Sequence, residues 1–399
     1  MIELYAYVCI YTLRKVGVIL AAVEFVKGVP ADHDELLDFA NYVFGTDFLK
    51  LVPKLYKPEY KSEVHHYLVK EDGRIKGAVG SFPMKLMING EQLDVRGIGT
   101  VSVHPYSRRK GYMDKLMKWA MDDIRSSNAD FACLGGMRQR YEYYSFEPCG
   151  PVFEYRLIPA NIRHFFKDQR ETGLTVSRVS QTDGEWLDRV RALHDAQPVH
   201  VARQGDFMDI LTTWHNTPYV IHRNGMLAGY FTYEQKYSFI SELVLDEGEA
   251  VGDAVKEIFN AFKPDSLIIK CAPWQKDQIG FLESMAEGCM MQNCESFTVM
   301  NYKKVIQALM KLKSGYTALA DGELSICIDG LKRIRIAVSG GVPEVEECSG
   351  KCDIELPHLE AMRFLFSVQS AYYDYNIRIS PELRSWFPLP LYFPRLDQV

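Results

Sequence analysis

The segments YLVKEDGRIKG (67–77) and YVIHRNGMLAG (219–229) carry the same punctuation at the same spacing: Tyr, then Asp or Asn at +5, Gly at +6 and Gly at +10. Each reads as an alternating strand, an Asp-Gly or Asn-Gly turn and a second strand, the strongest short-range hairpin signal a sequence can carry. Upstream, VEFVKGVPADHDELL (23–37) lines up with LTVSRVSQTDGEWL (174–187). Each is a strand followed by a capping box that opens a helix, Asp32 with Glu35 in the first and Thr182 with Glu185 in the second. The caps are offset by 150 residues and the hairpins by 152. Two features in one order at nearly one offset predict a duplicated strand–helix–hairpin domain. At 399 residues the chain exceeds the two copies, and a third region begins near Cys294. There a helix (NYKKVIQALMKL), short period-two strands separated by glycines (ELSICIDG, RIRIAVSGG, CDIEL) and a helix (PHLEAMRFLF) predict a small α+β layer.

The two copies differ after the hairpin. The first runs into VSVHPYSRRKGYMDKLM (101–117), the second into ISELVLDEGEAVGDAVKEIF (240–259), acidic where the first is basic. In the first, Pro105 and Ser107 end the strand, and Met113, Leu116, Met117, Ala120, Met121 and Ile124 recur at helical spacing. The corner is a strand-to-helix turn, where the first helical amides lack internal partners and the helix dipole is positive. Arg108, Arg109 and Lys110 add charge, and Gly111 admits a bulky phosphate close to the backbone. Basic residues at a helix amino terminus oppose the dipole unless an anion offsets them, so the corner reads as a phosphate cradle rather than a solvated surface. The second copy should repel the same anion. The G-x-x-x-x-G-K-[ST] and G-x-G-x-x-G signatures are missing from this corner.

A net charge of −6 gives no basic footprint for nucleic acid, so any anion site is local. Nine irregularly spaced cysteines are too few for a disulfide framework and fit a reducing cytoplasm. The pairs Cys348/Cys352 and Cys289/Cys294 have no matching His or Cys pair at zinc spacing, so no metal is expected. In the amino-terminal stretch the charge-free runs Leu4 to Leu13 and Val16 to Val23 fall short of the roughly 20 residues of a membrane span. Glu3 before the first run, with Arg14 and Lys15 dividing the two, does not suit a signal peptide. Residues 1–22 are expected to be an extension outside the repeat.

With these residues in view, V-x-V-x-P-x-x-R-R-K-G resembles motif A of the GNAT N-acetyltransferases, which cradle the pyrophosphate of acetyl-CoA on such a turn. Downstream, RYEYYSFEP (140–148) resembles the family's FYexxGFe segment, with Tyr141 at the tyrosine position, Phe146 at the aromatic and Ser145 where glycine is usual. An intact copy, a degenerate copy and a small α+β region together are similar to the "enhanced intracellular survival" acetyltransferases, which end in a sterol-carrier-protein-like domain. The resemblance implies an α+β fold of two tandem GNAT (acyl-CoA N-acyltransferase) domains, the second degenerate, followed by that third domain. The boundaries expected are 23–155 for the catalytic domain, 156–294 for the degenerate one and 295–399 for the sterol-carrier-protein-like domain with a docked tail.

Carried over residue by residue, the resemblance implies that the backbones of Val101 and Val103 hold the pantetheine arm like an added strand. It implies that Arg109, Lys110, Gly111, Tyr112 and Met113 line the pyrophosphate turn, with Arg108 beside it, and that Gly136 and Met137 touch the co-substrate again. Met113 stands where the general family pattern has a small residue. Tyr141 would be the general acid, since a phenol of pKa about 10 can protonate a departing thiolate without ionising at rest. The carboxyl terminus, here Val399 after SWFPLPLYFPRLDQV, would reach into the first domain's site; as a carboxylate of pKa about 3.5 it would orient the ammonium and relay a proton through water. The expected activity is transfer of acetyl from acetyl-CoA to a primary amine of a small molecule or a lysine side chain, and the subgroup implies symmetric homo-oligomers. The alternative is a non-catalytic acyl-CoA or lipid-binding protein in which Tyr141 only packs.

Overall fold

The computed structural model describes residues 22–167, 171–246, 250–371, 380 and 382–399. The extension expected over 1–22 lies outside these residues except for Ala22, as do Glu247 and Glu249 of the acidic stretch. The first half runs β1 (Val23–Lys27), α1 (His33–Phe44), α2 (Phe48–Leu51), α3 (Pro53–Tyr56), β2 (His66–Glu71), β3 (Arg74–Ile88), β4 (Glu91–Val103), α4 (Tyr112–Ser126), β5 (Phe131–Leu134), α5 (Arg138–Tyr141) and β6 (Glu147–Leu157). After α6 (Pro159–Phe165) the second half runs β7 (Leu174–Arg178), α7 (Gly184–Asp195), β8 (Val199–Val201), α8 (Phe207–Leu211), β9 (Thr217–Arg223), β10 (Met226–Glu234), β11 (Phe239–Leu245), α9 (Val251–Phe262), β12 (Leu267–Cys271), α10 (Lys276–Met285) and β13 (Cys289–Val299).

Both hairpins turn through two left-handed residues, Asp72 and Gly73 (φ 49° and 77°) and Asn224 and Gly225 (φ 53° and 78°), which suits the twist of the strands they join. The likeness extends to an irregularity. In β2–β3 the register passes from Lys70↔Ile75 to Val69↔Gly77, and in β9–β10 from His222↔Leu227 to Ile221↔Gly229. The bulged residues, Lys76 and Ala228, stand at the same place in each hairpin.

The capping boxes expected upstream do not form. Asp32 precedes α1, but its carboxylate accepts from the Val29 amide and pairs with Lys70, while Glu35 accepts from the Ile75 amide at 3.0 Å. In the second half Asp183, not Thr182, precedes α7; it accepts from the Ser180 amide, and Glu185 pairs with Arg189. Nearby cations and open backbone amides compete for the carboxylates that a capping box would have turned back on its own helix.

The larger sheet runs β1-β2-β3-β4-β5-β13-β6-β12-β11-β10-β9-β7, with β8 on β3. Each half's last strand sits beside the other half's sheet: β13 pairs antiparallel with β5, β6 pairs antiparallel with β12, and β6 and β13 pair with each other. Cuts at 155/156 and 294/295 would divide β6 and β13. The exchange makes one continuous sheet and places second-half residues beside β5. Strands β4 and β5 run parallel only over Val95–Ile98 and Phe131–Leu134, so beyond Ile98 β4 has no strand on that side among the described residues. A bulge at this divergence holds Thr100 in a left-handed conformation, φ 53°, which is unfavourable for a β-branched residue. A buried chain holds it: His66 Nδ1–H donates to the Ser62 carbonyl, its Nε2 faces the Tyr56 hydroxyl, and Tyr56 is hydrogen-bonded to Thr100 Oγ1.

The third region holds α11 (Tyr302–Ser314), β14 (Gly322–Ile328), β15 (Lys332–Ser339), β16 (Val342–Glu347), β17 (Ile354–Leu356) and α12 (His358–Phe366), its sheet ordered β16-β15-β14-β17. One core joins this layer to the first half: Val305, Leu309, Ile326 and Ile336 cluster with Leu86, Val95 and Phe131. The tail continues through it, burying Trp386, Leu389, Leu391 and Phe393 there and Leu396 against the second half. Among the described residues no helix is long and apolar enough to cross a membrane.

Candidate active site

The basic corner forms as the spacing predicts. Pro105–Ser107 make a single 3-10 turn, and α4 starts at Tyr112 with Leu116, Met117, Ala120, Met121 and Ile124 buried. Gly111 precedes the helix in a left-handed conformation, φ 76°, and no side chain caps the first amides, which are left open to an anion. A cavity of about 760 Å³ opens over this turn, lined by Val101, Val103, Arg108, Arg109, Gly111, Tyr112 and Met113. Its one lining carboxylate among the described residues, Asp114, is bound to Lys118 and to the Tyr144 hydroxyl, so the corner's positive charge is not internally cancelled.

Not every expected residue faces this cavity. The Lys110 ammonium turns away to Glu71 at 2.6 Å, and Glu71 also accepts from the Tyr112 hydroxyl. Arg140, which no motif flags, also lines the cavity. Its position beside Tyr141 in RYEYYSFEP was visible, but adjacency in the chain does not say that both reach one corner.

A second cavity of about 870 Å³ lies on the other side of Val101 and Phe44, which wall both. Lined by Tyr141 and Val399, it sits where β4 and β5 diverge, with Gly99, Thr100 and Val101 on one side and Leu134 and Gly135 on the other. Burial pushes the Tyr141 hydroxyl above the ordinary tyrosine value, with Arg140 opposing, so the phenol keeps its proton at neutral pH. Gly136, at φ 153°, lies so close under the Tyr141 ring that a Cβ there would meet Cε2 at 2.4 Å. Met137 is exposed. Ser145, where the resembled segment has glycine, adopts φ 72°, the conformation that makes glycine usual.

Val399 ends the chain against β4. A Cβ on Gly99 would stand 2.9 Å from the terminal carboxyl carbon, and one on Gly97 would stand 2.7 Å from a Val399 methyl. The tail is anchored on the way in: Asp397 to Arg203, the Leu396 carbonyl to the Lys54 ammonium, and the Phe393 carbonyl to the Cys294 thiol. Burial brings Lys54 down to about 7, with Asp397 opposing and Arg203 adding to the shift.

The second half supplies much of the remaining wall: Trp214, Glu234, Tyr237, Phe239, Ser241 and Lys270, together with Glu295 on the exchanged strand β13. Trp214 holds φ 59°, and its indole nitrogen and the Ser241 hydroxyl are buried without a hydrogen-bond partner among the described residues. Burial pushes Glu295 up to about 7, opposed by a hydrogen bond from the Ser296 amide and by Arg395 and Lys270. No motif flags Glu295, because only the strand exchange brings it here. Among the described residues no group of three or more His, Cys, Asp or Glu is placed to hold a metal ion.

Residues 27–149 match the acetyltransferase (GNAT) domain family. None of the curated protein sequences matches the chain. Among solved structures, the chain is similar to a GCN5-related N-acetyltransferase from Kribbella flavida at 15% identity and a TM-score of 0.65, over 96% of this chain and 99% of that one. It is similar to another from Anabaena variabilis at 15% identity and a TM-score of 0.65, over 93% and 97%. The likeness to Eis1 from Mycobacterium abscessus is 14% identity with a TM-score of 0.57, over 85% and 88%. The chain therefore carries an acetyltransferase (GNAT) domain, within a mixed α/β fold that GNAT proteins share along most of its length.

Proposed function

We propose that the protein transfers an acetyl group from acetyl-CoA to a primary amine of a small molecule or a lysine side chain. One observation carries this: the cavity over the basic corner and the cavity holding Tyr141 and Val399 meet at Val101 and Phe44. A pyrophosphate held by Arg108, Arg109 and the open amides of α4 would leave the unpaired flank of β4, at Val101 and Val103, for a pantetheine arm. The thioester would then enter the second cavity. The donor set fits the group: two cationic side chains, free amides and a glycine with nothing within 4 Å of its Cβ position. Lys110 would contribute its backbone only.

In the second cavity the Val399 carboxylate orients the acceptor ammonium and passes its proton on through water. Tyr141 donates to the departing sulfur. The second half is a degenerate GNAT copy whose role is to wall the acceptor cavity and lend β13, and residues 295–399 are a sterol-carrier-protein-like domain that delivers the tail. The setting we propose is a cytoplasmic homo-oligomer. The test is thiol release from acetyl-CoA across polyamines, aminoglycosides, lysine peptides and small amines, with the Tyr141→Phe protein as control. Turnover of at least one amine, lost in the control, supports the proposal; failure of every amine overturns it in favour of acyl-CoA binding without catalysis.

A further inference from the structure

An aliphatic amine is almost entirely ammonium at neutral pH and cannot attack a thioester until it sheds a proton. A terminal carboxylate, with an ordinary pKa of about 3.5, holds that proton too weakly to keep it. We propose that Glu295, carried onto the first half's site by the exchanged strand β13, accepts the proton that the acceptor ammonium gives up at the Val399 carboxylate, an assignment that rests on the transfer proposed above.

Position comes first. Glu295 lines the cavity shared by Tyr141 and Val399, and its oxygens lie 3.6 and 3.7 Å from where a Cβ on Gly135 would be. Gly135 follows β5 directly, at the mouth of the β4–β5 divergence, and its missing side chain leaves the carboxyl open to that space. Among the described residues Glu295 is also the cavity's one side-chain carboxyl without a counter-ion. Glu154 has Lys270 at 3.4 Å and Gln292 at 2.8 Å, and Glu234 has Arg395 at 3.9 Å. Among the described residues Glu295 has no cation within 4.0 Å, and it accepts one hydrogen bond, from the Ser296 amide at 3.3 Å. A half-buried carboxyl with so much unused capacity is well placed to take a partner.

The groups facing it from each neighbouring element are consistent with the role. They are Cys133 on β5, Cys294 beside it on β13, Lys270 on β12, Arg395 in the tail and, across the cavity, Tyr141 and the Val399 carboxylate. Burial pushes both thiols and the phenol up, so they stay protonated at neutral pH. Glu295, at about 7, is the side chain among these that titrates where a base is needed. The protons balance. One leaves the ammonium for Glu295 and then solvent; the C–N bond forms and the C–S bond breaks; Tyr141 protonates the sulfur and regains, through solvent, the second proton that the nitrogen sheds. The net release is one proton.

The experiment is the pH profile of kcat for the full-length chain with a reactive amine, from pH 5.5 to 9, alongside acetyl-CoA binding by calorimetry. In the unmodified protein log kcat rises with unit slope and levels near pH 7. Glu295→Gln lowers kcat at pH 7 by about 100-fold, leaves acetyl-CoA affinity within about twofold and removes the plateau, so that kcat climbs through the whole range. Glu295→Gln with kcat within about threefold, or with the plateau still near pH 7, overturns the assignment. Should Glu295→Gln fail to bind acetyl-CoA, Glu295→Asp decides: partial activity with the plateau retained supports the assignment, and activity no higher than the Gln protein overturns it. An unmodified chain that acetylates no amine overturns the transfer itself, a result distinct from an active chain indifferent to Glu295.

Discussion

Arg203 grips Asp397 through two side-by-side hydrogen bonds, Nε to Oδ1 at 3.0 Å and Nη2 to Oδ2 at 2.9 Å, two residues before the chain ends. Both side chains are almost wholly buried, and Glu242 holds the other edge of the same guanidinium at 2.6 and 3.0 Å. A buried cation shared by two carboxylates is tolerable only while both are present. Asp397→Ala should lower stability by about 3 kcal/mol, seen as a lower midpoint of urea unfolding, and should free the last residues from the cavity. Loss of turnover with acetyl-CoA binding retained is the expected pattern. Unchanged turnover would mean that the terminus has no part in the reaction.

Gly99 gives a gentler test of the same end. A methyl at this position would stand 2.9 Å from the Val399 carboxyl carbon, closer than packed atoms allow, without touching the arginine corner. Gly99→Ala should displace the terminus and lower kcat by about tenfold or more, an effect deletion of Val399 would not add to if both act through one carboxylate.

The corner divides its own cations. Arg109 lines the cavity, whereas Lys110, with its side chain 47% exposed, is paired to Glu71. Arg109→Glu should weaken acetyl-CoA binding by about 100-fold, because it replaces a charge-assisted contact by repulsion. Lys110→Ala should change affinity by less than about threefold, as removal of an exposed pair does. Calorimetry on the two proteins separates them, and equal losses would be inconsistent with the orientation of Lys110.

Tyr141→Phe keeps the buried ring on which Gly136 packs and removes only the hydroxyl. The expected result is a fall in kcat of about 100-fold with a thermal midpoint close to that of the unmodified protein. A fall in stability without a fall in kcat would make the residue a packing group.

His66 sets a pH limit on the fold. It is fully buried, and burial lowers its pKa to about 4, with the Ser62 carbonyl opposing and His65 adding to the shift. Below the ordinary histidine value near 6.5 the unfolded chain takes up a proton that the folded chain does not. Stability should therefore be greatest above pH 6.5 and fall as pH drops from 6.5 to 4, by about 3 kcal/mol in all. Protonation would also cost His66 Nε2 its role as acceptor for Tyr56, the residue that holds Thr100 at the β4 bulge. Urea unfolding between pH 4 and 7, with His66→Gln as the flattened control, measures the slope.

What the sequence determined by itself is local. Hairpin turns, the strand-to-helix corner and the stripe of α4 depend on residues within a few positions of one another, so Asp72-Gly73, Asn224-Gly225, Pro105 and Leu116 announce them directly. The likeness of the two hairpins was legible for the same reason, down to a common offset that both bulges follow. The first capping box does not form because the carboxylates of Asp32 and Glu35 find partners on the adjacent hairpin, and partners distant in the chain leave no local trace. Strand exchange is the larger case. Nothing in β6 or β13 alone says which half each joins; that follows from which edges remain free once both sheets have formed. That choice takes Glu295 from the second half to the first half's cavity. Other contacts between residues distant in the chain turn Lys110 to Glu71, bring Arg140 to the corner and set Val399 against Gly99.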